Sequence, residues 1–306
     1  MGNTYDVIVL GCGPAGLTAA IYALRSGCSV LLVESNMIGG QATLTYEIKN
    51  YPGFEEISGM ELAMKMHEQA EKLGAETTYG EIEKVDLENK EITLNGEIFS
   101  ATSIVLCMGA SARKLGVKNE KELTGRGVAY CAICDGAFFR DKKVVLVGGG
   151  NTAVEDAIYL SNICSSVTVV NNLDDFTCQK VLKDQFEKVA TEKELKALQG
   201  SIVKEIKGND VVEGVVVADR NGVETVIGCD GVFVAIGRVP DTSLVQGQIE
   251  TNKNGYIIAD ENMHTSVEGV FVAGDVRVKN LRQIITACGD GAIAGTEAST
   301  YVNHKR

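Results

Sequence analysis

The sequence predicts an α/β protein built from two doubly wound, Rossmann-like domains of the FAD/NAD(P)-binding type, the second inserted in the first. Three observations predict it. Two glycine-rich loops, Gly11-Cys12-Gly13-Pro14-Ala15-Gly16 and Gly148-Gly149-Gly150-Asn151-Thr152-Ala153, each follow a short apolar run. Each loop leads into a helical pattern and then a second apolar run, which is the order of a dinucleotide-binding unit. Between the loops lies Cys131-Ala132-Ile133-Cys134-Asp135, a cysteine spacing that suits redox chemistry or metal binding.

The elements follow in order. An apolar strand over 6–10 enters the first loop, and Leu17, Ala20, Ile21 and Leu24 recur at helical spacing behind it. A second strand over 29–33 ends at Glu34. The glycines let the backbone turn tightly beside a pyrophosphate, the helix start attracts that anion, and Glu34 is placed to accept from an adenosine ribose. The loop over 35–54 carries Gly39-Gly40-Gln41 and Asn50-Tyr51-Pro52-Gly53. A helix is expected over 60–73. Alternating stretches such as Glu91-Ile92-Thr93-Leu94, closed by Asn95-Gly96, predict a small antiparallel sheet. The apolar run over 103–106 is a strand. The second unit repeats the plan: a strand over 144–147, the loop, a helix over 152–160 and a strand over 166–170. The run over 232–238 echoes 104–109, and the chain returns through Gly269-Val270-Phe271-Val272-Ala273-Gly274-Asp275 to a helix from about Gln283. The division is therefore 1–113 with 246–306, and 114–245.

Hydrophobic residues make up 45% of the 306 and charged residues 23%, ordinary for a globular chain of two domains. No apolar run approaches the roughly 18 residues that a membrane span needs. The start, Met1-Gly2-Asn3-Thr4-Tyr5-Asp6, has no signal pattern, and Asp6 stands where a myristoylated chain has Ser or Thr. A cytoplasmic protein without a membrane partner is expected. A net charge of −12 argues against nucleic acid. Locally, Arg113, Lys114, Lys118, Lys121, Arg126, Arg140, Lys142 and Lys143 form a basic stretch around the dithiol, suited to steering an acidic partner. Seven cysteines are scattered and read as small buried hydrophobes. Zinc needs a second close Cys/His pair, and His67, His264 and His304 are isolated, so no metal site is expected.

In this combination the chain resembles the low-molecular-weight thioredoxin reductases, homodimeric FAD enzymes with a redox-active disulfide. The resemblance spans essentially the full length. It rests on the first glycine loop, Gly39-Gly40-Gln41, Asn50-Tyr51-Pro52-Gly53, Cys131 to Asp135, Gly237-Arg238-Val239-Pro240, and Ala273-Gly274-Asp275 with Leu281-Arg282-Gln283-Ile284. It implies that Gly11, Gly13, Pro14, Ala15, Gly16 and Glu34 hold the ADP half of FAD. It places Gly40, Gln41 and Asn50 near the flavin and its ribityl chain, Gly274 and Asp275 at a ribityl hydroxyl, and Arg282, Gln283 and Ile284 around the cofactor. It makes Cys134 the flavin-facing thiol, Cys131 the nucleophile toward thioredoxin, and Asp135 a proton donor and acceptor. A helix starting near Cys131 would stabilise a thiolate there.

One segment departs from the family. NADPH-dependent members follow the second unit's strand with a His-Arg-Arg cluster that binds the 2′-phosphate. Here the strand runs into Asn171-Asn172-Leu173-Asp174-Asp175-Phe176-Thr177-Cys178, without an arginine and with two aspartates. The second nucleotide fold thus reads as degenerate. The departure resembles the ferredoxin-dependent flavin thioredoxin reductases, so reduced ferredoxin is the expected donor and thioredoxin the acceptor. The alternatives are an NAD(P)H-dependent thioredoxin reductase, an FAD-dependent dithiol oxidase using oxygen, and a non-enzymatic flavin sensor, which the Cys131/Cys134 pair makes the weakest.

Overall fold

Val7, Ile8, Val9 and Leu10 are all fully buried, as in a strand covered on both faces of a sheet. The computed structural model describes residues 3–45 and 47–306; Gly2, read above against lipid attachment, lies outside them. Among the described residues the α-helices are α1 (Pro14–Arg25), α2 (Gly59–Lys72), α3 (Ala132–Asp135), α4 (Asn151–Leu160), α5 (Lys180–Glu192) and α6 (Ile284–Lys305). The chain divides into two units, Met1–Ser111 with Val239–Arg306, and Ala112–Arg238. The return falls at 239, earlier than the 246 expected. The cause is packing: Leu244 and Val245 join the first unit's apolar cluster around Ile8, Ile104 and Val272.

In the first unit the strand Thr4–Leu10 lies between Val30–Glu34 and Glu97–Leu106, parallel to both. Its alternate side chains feed two layers. Val7 and Val9 pack with Leu17, Leu32 and Ala294 on the face of α1 and α6, and Ile8 and Leu10 pack with Leu31, Ile104 and Val272 on the other. Helices α1 and α6 touch at backbone distance: a Cβ on Gly291 would lie 2.2 Å from the Ala15 carbonyl oxygen. Strand Glu97–Leu106 pairs antiparallel with Glu91–Leu94 through residues 97–100 and parallel with Val270–Val272 through residues 104–106. The alternating stretches therefore form no separate small sheet. Because 97–106 is one continuous strand, they extend the main sheet to seven strands.

The second unit has a parallel five-stranded sheet in the order Leu195–Leu198, Ser166–Val170, Lys143–Val147, Gly231–Val234, Val128–Ala129. An antiparallel sheet of Ile202–Lys207, Gly214–Ala218 and Glu224–Gly228 adjoins it in sequence. Neither this sheet nor α5 is among the elements expected from the sequence. Leu182, Phe186, Val189 and Ala190 recur at helical spacing along α5 and pack on the unit's core, so the helix did carry a periodic signal. Among the described residues no helix is long and apolar enough to cross a membrane.

Candidate active site

The first glycine loop is held by the ends of its neighbouring strands. Gly11 N donates to Val33 O (2.8 Å), and Cys107 N donates to Leu10 O (2.8 Å). Gly11 has φ +100°, and a Cβ there would meet the Cys107 carbonyl oxygen at 2.5 Å, so only glycine fits. Gly13 caps α1 through its backbone alone, with Pro14 as the first helical residue. The first N–H groups of α1 thus have no side-chain cap, the arrangement that receives a pyrophosphate. Glu34 is buried, with Oε2 accepting from Cys12 N (2.8 Å) and Oε1 from Asn36 N (2.9 Å). Each carboxylate oxygen keeps a lone pair for a ribose hydroxyl.

Several sequence-distant candidates meet here. Gly39 N donates to Cys12 O (2.8 Å), bringing Gly40 opposite Gly13: a Cβ on Gly40 would lie 3.7 Å from the Gly13 Cα. Gln41 is exposed on the short 3-10 turn Gly40–Leu44. Asn50 Nδ2 donates to Gln283 Oε1 (3.0 Å) across 233 residues of sequence. Gln283 also caps α6 reciprocally with Thr286, and Ile284 begins that helix. Ala15 lies against Gly274, where a Cβ would approach its Cβ to 2.8 Å. Asp275 sits in the turn Gly274–Val276. The Arg282 guanidinium stacks 4.4 Å from the centre of the Tyr256 ring, and its buried Nε has no hydrogen-bond partner among the described residues. These residues fit FAD: the loops offer a bare backbone cradle for the pyrophosphate, and Arg282 holds an unspent donor.

Asp290 is absent from the reading above. It is buried on α6 and accepts from Gly274 N (3.1 Å), Arg277 Nε (3.1 Å) and Lys279 Nζ (2.7 Å). It therefore pins both ends of the segment that carries Asp275. The available signal was a single acid in a stretch otherwise made mainly of small and apolar residues, Ile284 to Gly295.

The redox group belongs to the second unit. Cys131 and Cys134 are joined by a disulfide with a Cα–Cα separation of 5.3 Å. Cys131 is the N-cap of α3, and its Sγ accepts from Cys134 N (3.2 Å). A thiolate at Cys131 would keep that N–H as a stabilising donor. Burial raises the Asp135 pKa to about 6. On α4, burial, then the neighbouring Glu155 charge, raise Asp156 to about 7 against the pull of Arg238; the sequence reading missed this carboxyl. Burial raises the thiol pKa of Cys12, Cys28, Cys107, Cys164, Cys178, Cys229 and Cys288, so these stay protonated at neutral pH; Cys164 and Cys178 are half-buried, not covered as the sequence suggests. In the basic stretch, Lys118 is paired with Glu205 (2.8 Å) and Lys114 Nζ lies 3.6 Å from the Tyr130 ring centre.

Two glycine-loop nucleotide folds and a helix-capped CxxC disulfide define the class of a disulfide oxidoreductase. Residues 5–291 match the family model described as pyridine nucleotide-disulphide oxidoreductase. The chain is 44% identical to a thioredoxin reductase of Peptoclostridium acidaminophilum, over 99% of this chain and 98% of that one. It is 43% identical to the solved thioredoxin reductase of Streptococcus pyogenes, with a TM-score of 0.88 over 99% of this chain and 100% of the other. A structure described as a ferredoxin-flavin thioredoxin reductase from Clostridium acetobutylicum is 28% identical, with a TM-score of 0.53 over 98% of this chain and 99% of the other. The chain belongs to the low-molecular-weight thioredoxin reductases, within the pyridine nucleotide-disulphide oxidoreductases, and is an FAD flavoprotein. The likeness to the ferredoxin-flavin type is the weaker of these, so the expected kinship to that type is not supported.

Proposed function

We propose that the protein reduces thioredoxin through FAD and the Cys131–Cys134 disulfide, with a pyridine nucleotide as the electron donor. The observation that supports the donor is the second glycine loop. Gly150 caps α4 through its backbone alone, as Gly13 caps α1, and the loop hangs from the adjoining strand by Gly148 N to Val170 O (3.0 Å). A loop of this build receives a dinucleotide pyrophosphate. The 43–44% identity to proteins named thioredoxin reductase supports the acceptor.

FAD, when bound, supplies the two-electron carrier between nucleotide and disulfide. Once the pair is reduced, Cys131 is held as a thiolate by the Cys134 N–H and attacks the disulfide of thioredoxin. One thioredoxin sulfur leaves and takes a proton, and a mixed disulfide forms. Cys134 then attacks Cys131, the second thioredoxin sulfur leaves and is protonated, and the Cys131–Cys134 bond is restored. Asp135, with a pKa of about 6, is suited to move these protons. A homodimer is supported by apolar side chains left exposed on α1 and α6, among them Tyr22, Ile285 and Ile293. Seven unpaired thiols suit a cytoplasmic setting.

A second reading has one observation in its favour: the turn over 171–178 has no cation of its own, which suits reduction by ferredoxin. Anaerobic titration of the bound flavin with NADH, NADPH and reduced ferredoxin in turn separates the two. Rapid bleaching by a nucleotide with thioredoxin turnover is the expected result. Bleaching by ferredoxin alone would replace the proposed donor.

A further inference from the structure

The two nucleotide folds close on their glycine loops by the same hydrogen bond. In the first unit Gly11 N donates to Val33 O, and the next residue, Glu34, meets the loop at Cys12 N. In the second Gly148 N donates to Val170 O, and the next residue, Asn171, meets Gly149, where a Cβ would lie 2.5 Å from the Asn171 Oδ1. Asn171 thus holds the position at which such a fold meets the adenosine ribose. It is uncharged and buried, and its amide shapes the turn after the strand. Its Nδ2 donates to Asp175 O (3.0 Å) and Gln199 Oε1 (2.6 Å), and its Oδ1 accepts from Leu173 N (3.3 Å). Thr177 N then donates back to Gly149 O (2.8 Å), laying the turn over 171–177 against the glycine loop.

The charges this turn presents are Asp174 and Asp175. Asp174 pairs with Arg220, which comes from the turn before strand Glu224–Gly228, and Asp175 pairs with Lys183 of α5 (2.5 Å). Both cations are already matched by carboxylates. A 2′-phosphate would bring a charge between one and two, compete with an aspartate for each cation, and remain beside the aspartate it displaced. A bare 2′-hydroxyl meets no such repulsion.

We infer that the second nucleotide fold selects a dinucleotide with a free 2′-hydroxyl, NADH in place of NADPH, and that Asp174 and Asp175 are the residues that exclude the 2′-phosphate. The inference rests on the proposal that a pyridine nucleotide is the donor. The turn and its neighbours thus present a charge-neutral pair of ion pairs at this position. Both aspartates are exposed, so the repulsion is screened by salt.

ADP-ribose and 2′-phospho-ADP-ribose test this without redox turnover. Each is titrated calorimetrically into the oxidised, FAD-loaded protein at low ionic strength. ADP-ribose is expected to bind at least tenfold more tightly, with the gap narrowing as salt is raised. An Asp174→Asn/Asp175→Asn variant leaves Arg220 and Lys183 unopposed. It is expected to tighten the phosphorylated probe at least tenfold and to change ADP-ribose less than twofold. Equal or tighter binding of 2′-phospho-ADP-ribose by the unaltered protein overturns the inference and leaves nucleotide dependence standing. An unchanged ratio in the double variant overturns the role given to the aspartates. Binding of neither probe overturns the inference. If flavin bleaching by both nucleotides also fails while ferredoxin succeeds, the proposed donor falls with it.

Discussion

Asp135 is a carboxyl whose burial works against its charge. A pKa near 6 in place of the ordinary 3.8 disfavours the ionised form by roughly 3 kcal/mol. The sign for stability follows from proton uptake. Between those two values the unfolded chain has lost its proton and the folded chain keeps it, so raising the pH favours unfolding, and above about 6 the loss is complete. Asp135→Asn is therefore expected to match the parent protein near pH 3.5 and to exceed it at pH 8 by about 2–3 kcal/mol in denaturant melts. The same variant should slow thioredoxin reduction about 100-fold at neutral pH and erase the limb of the rate profile near pH 6. A variant that is less stable at pH 8, or that keeps the limb, would show that the carboxyl is a helix-terminal charge and no more. Of this site the sequence carried the CxxC spacing and the adjacent acid. It did not carry the pKa, because burial of Asp135 depends on how α3 packs.

At the scale of elements, α6 joins the cofactor segment to the sheet. Its Gly291 lets it lie on α1, and the adjacent Asp290 receives Arg277, Lys279 and the Gly274 N–H. The Lys279 side chain is only 7% exposed, so removing its partner leaves a covered charge unpaired. Asp290→Ala is expected to cost about 3–5 kcal/mol and to weaken FAD retention, measured by flavin release on heating or gel filtration. Asp290→Asn still accepts from Gly274 N and should keep FAD better than Asp290→Ala; equal retention by the two would assign the effect to charge alone. Gly291→Ala should damage the same helix by overpacking, by at least 1–3 kcal/mol. Much at this scale was legible. The apolar runs, the glycine loops and the helix over 60–73 have strong periodic signals; the cap of α2, Ser58 Oγ accepting from Glu61 N (3.1 Å), was a further one that went unused. What was missed has separate causes. Helix α5 carries the apolar stripe Leu182, Phe186, Val189 and Ala190, which was passed over, and in the strand over 97–106 only the last four residues are fully covered, so 103–106 alone stands out as a strand.

At the scale of the whole molecule, the second unit is an insertion whose two ends meet. The chain leaves the first unit along Ala110–Ala112 and re-enters along Arg238–Pro240, and these segments pair as a two-stranded ladder. Ends held side by side are the topology that lets an inserted domain fold as an autonomous piece. The cores agree with this. The clusters built on Val144, Leu146 and Phe233 and on Val145, Val215 and Val232 draw only on residues of the second unit. Those built on Val7 and Ile8 draw only on the first. Among the described residues each cluster is complete within its own unit. Residues 112–238 expressed alone are therefore expected to unfold cooperatively, to form the Cys131–Cys134 disulfide, and to bind no FAD, since the first glycine loop, Glu34 and the 274–284 segment lie outside them. Circular dichroism melts with thiol titration and an absorbance scan near 450 nm check the three parts. A fragment that melts without cooperativity would show that the inserted unit draws stability from the rest of the chain, and the separation of the cores would then not be a separation of folding.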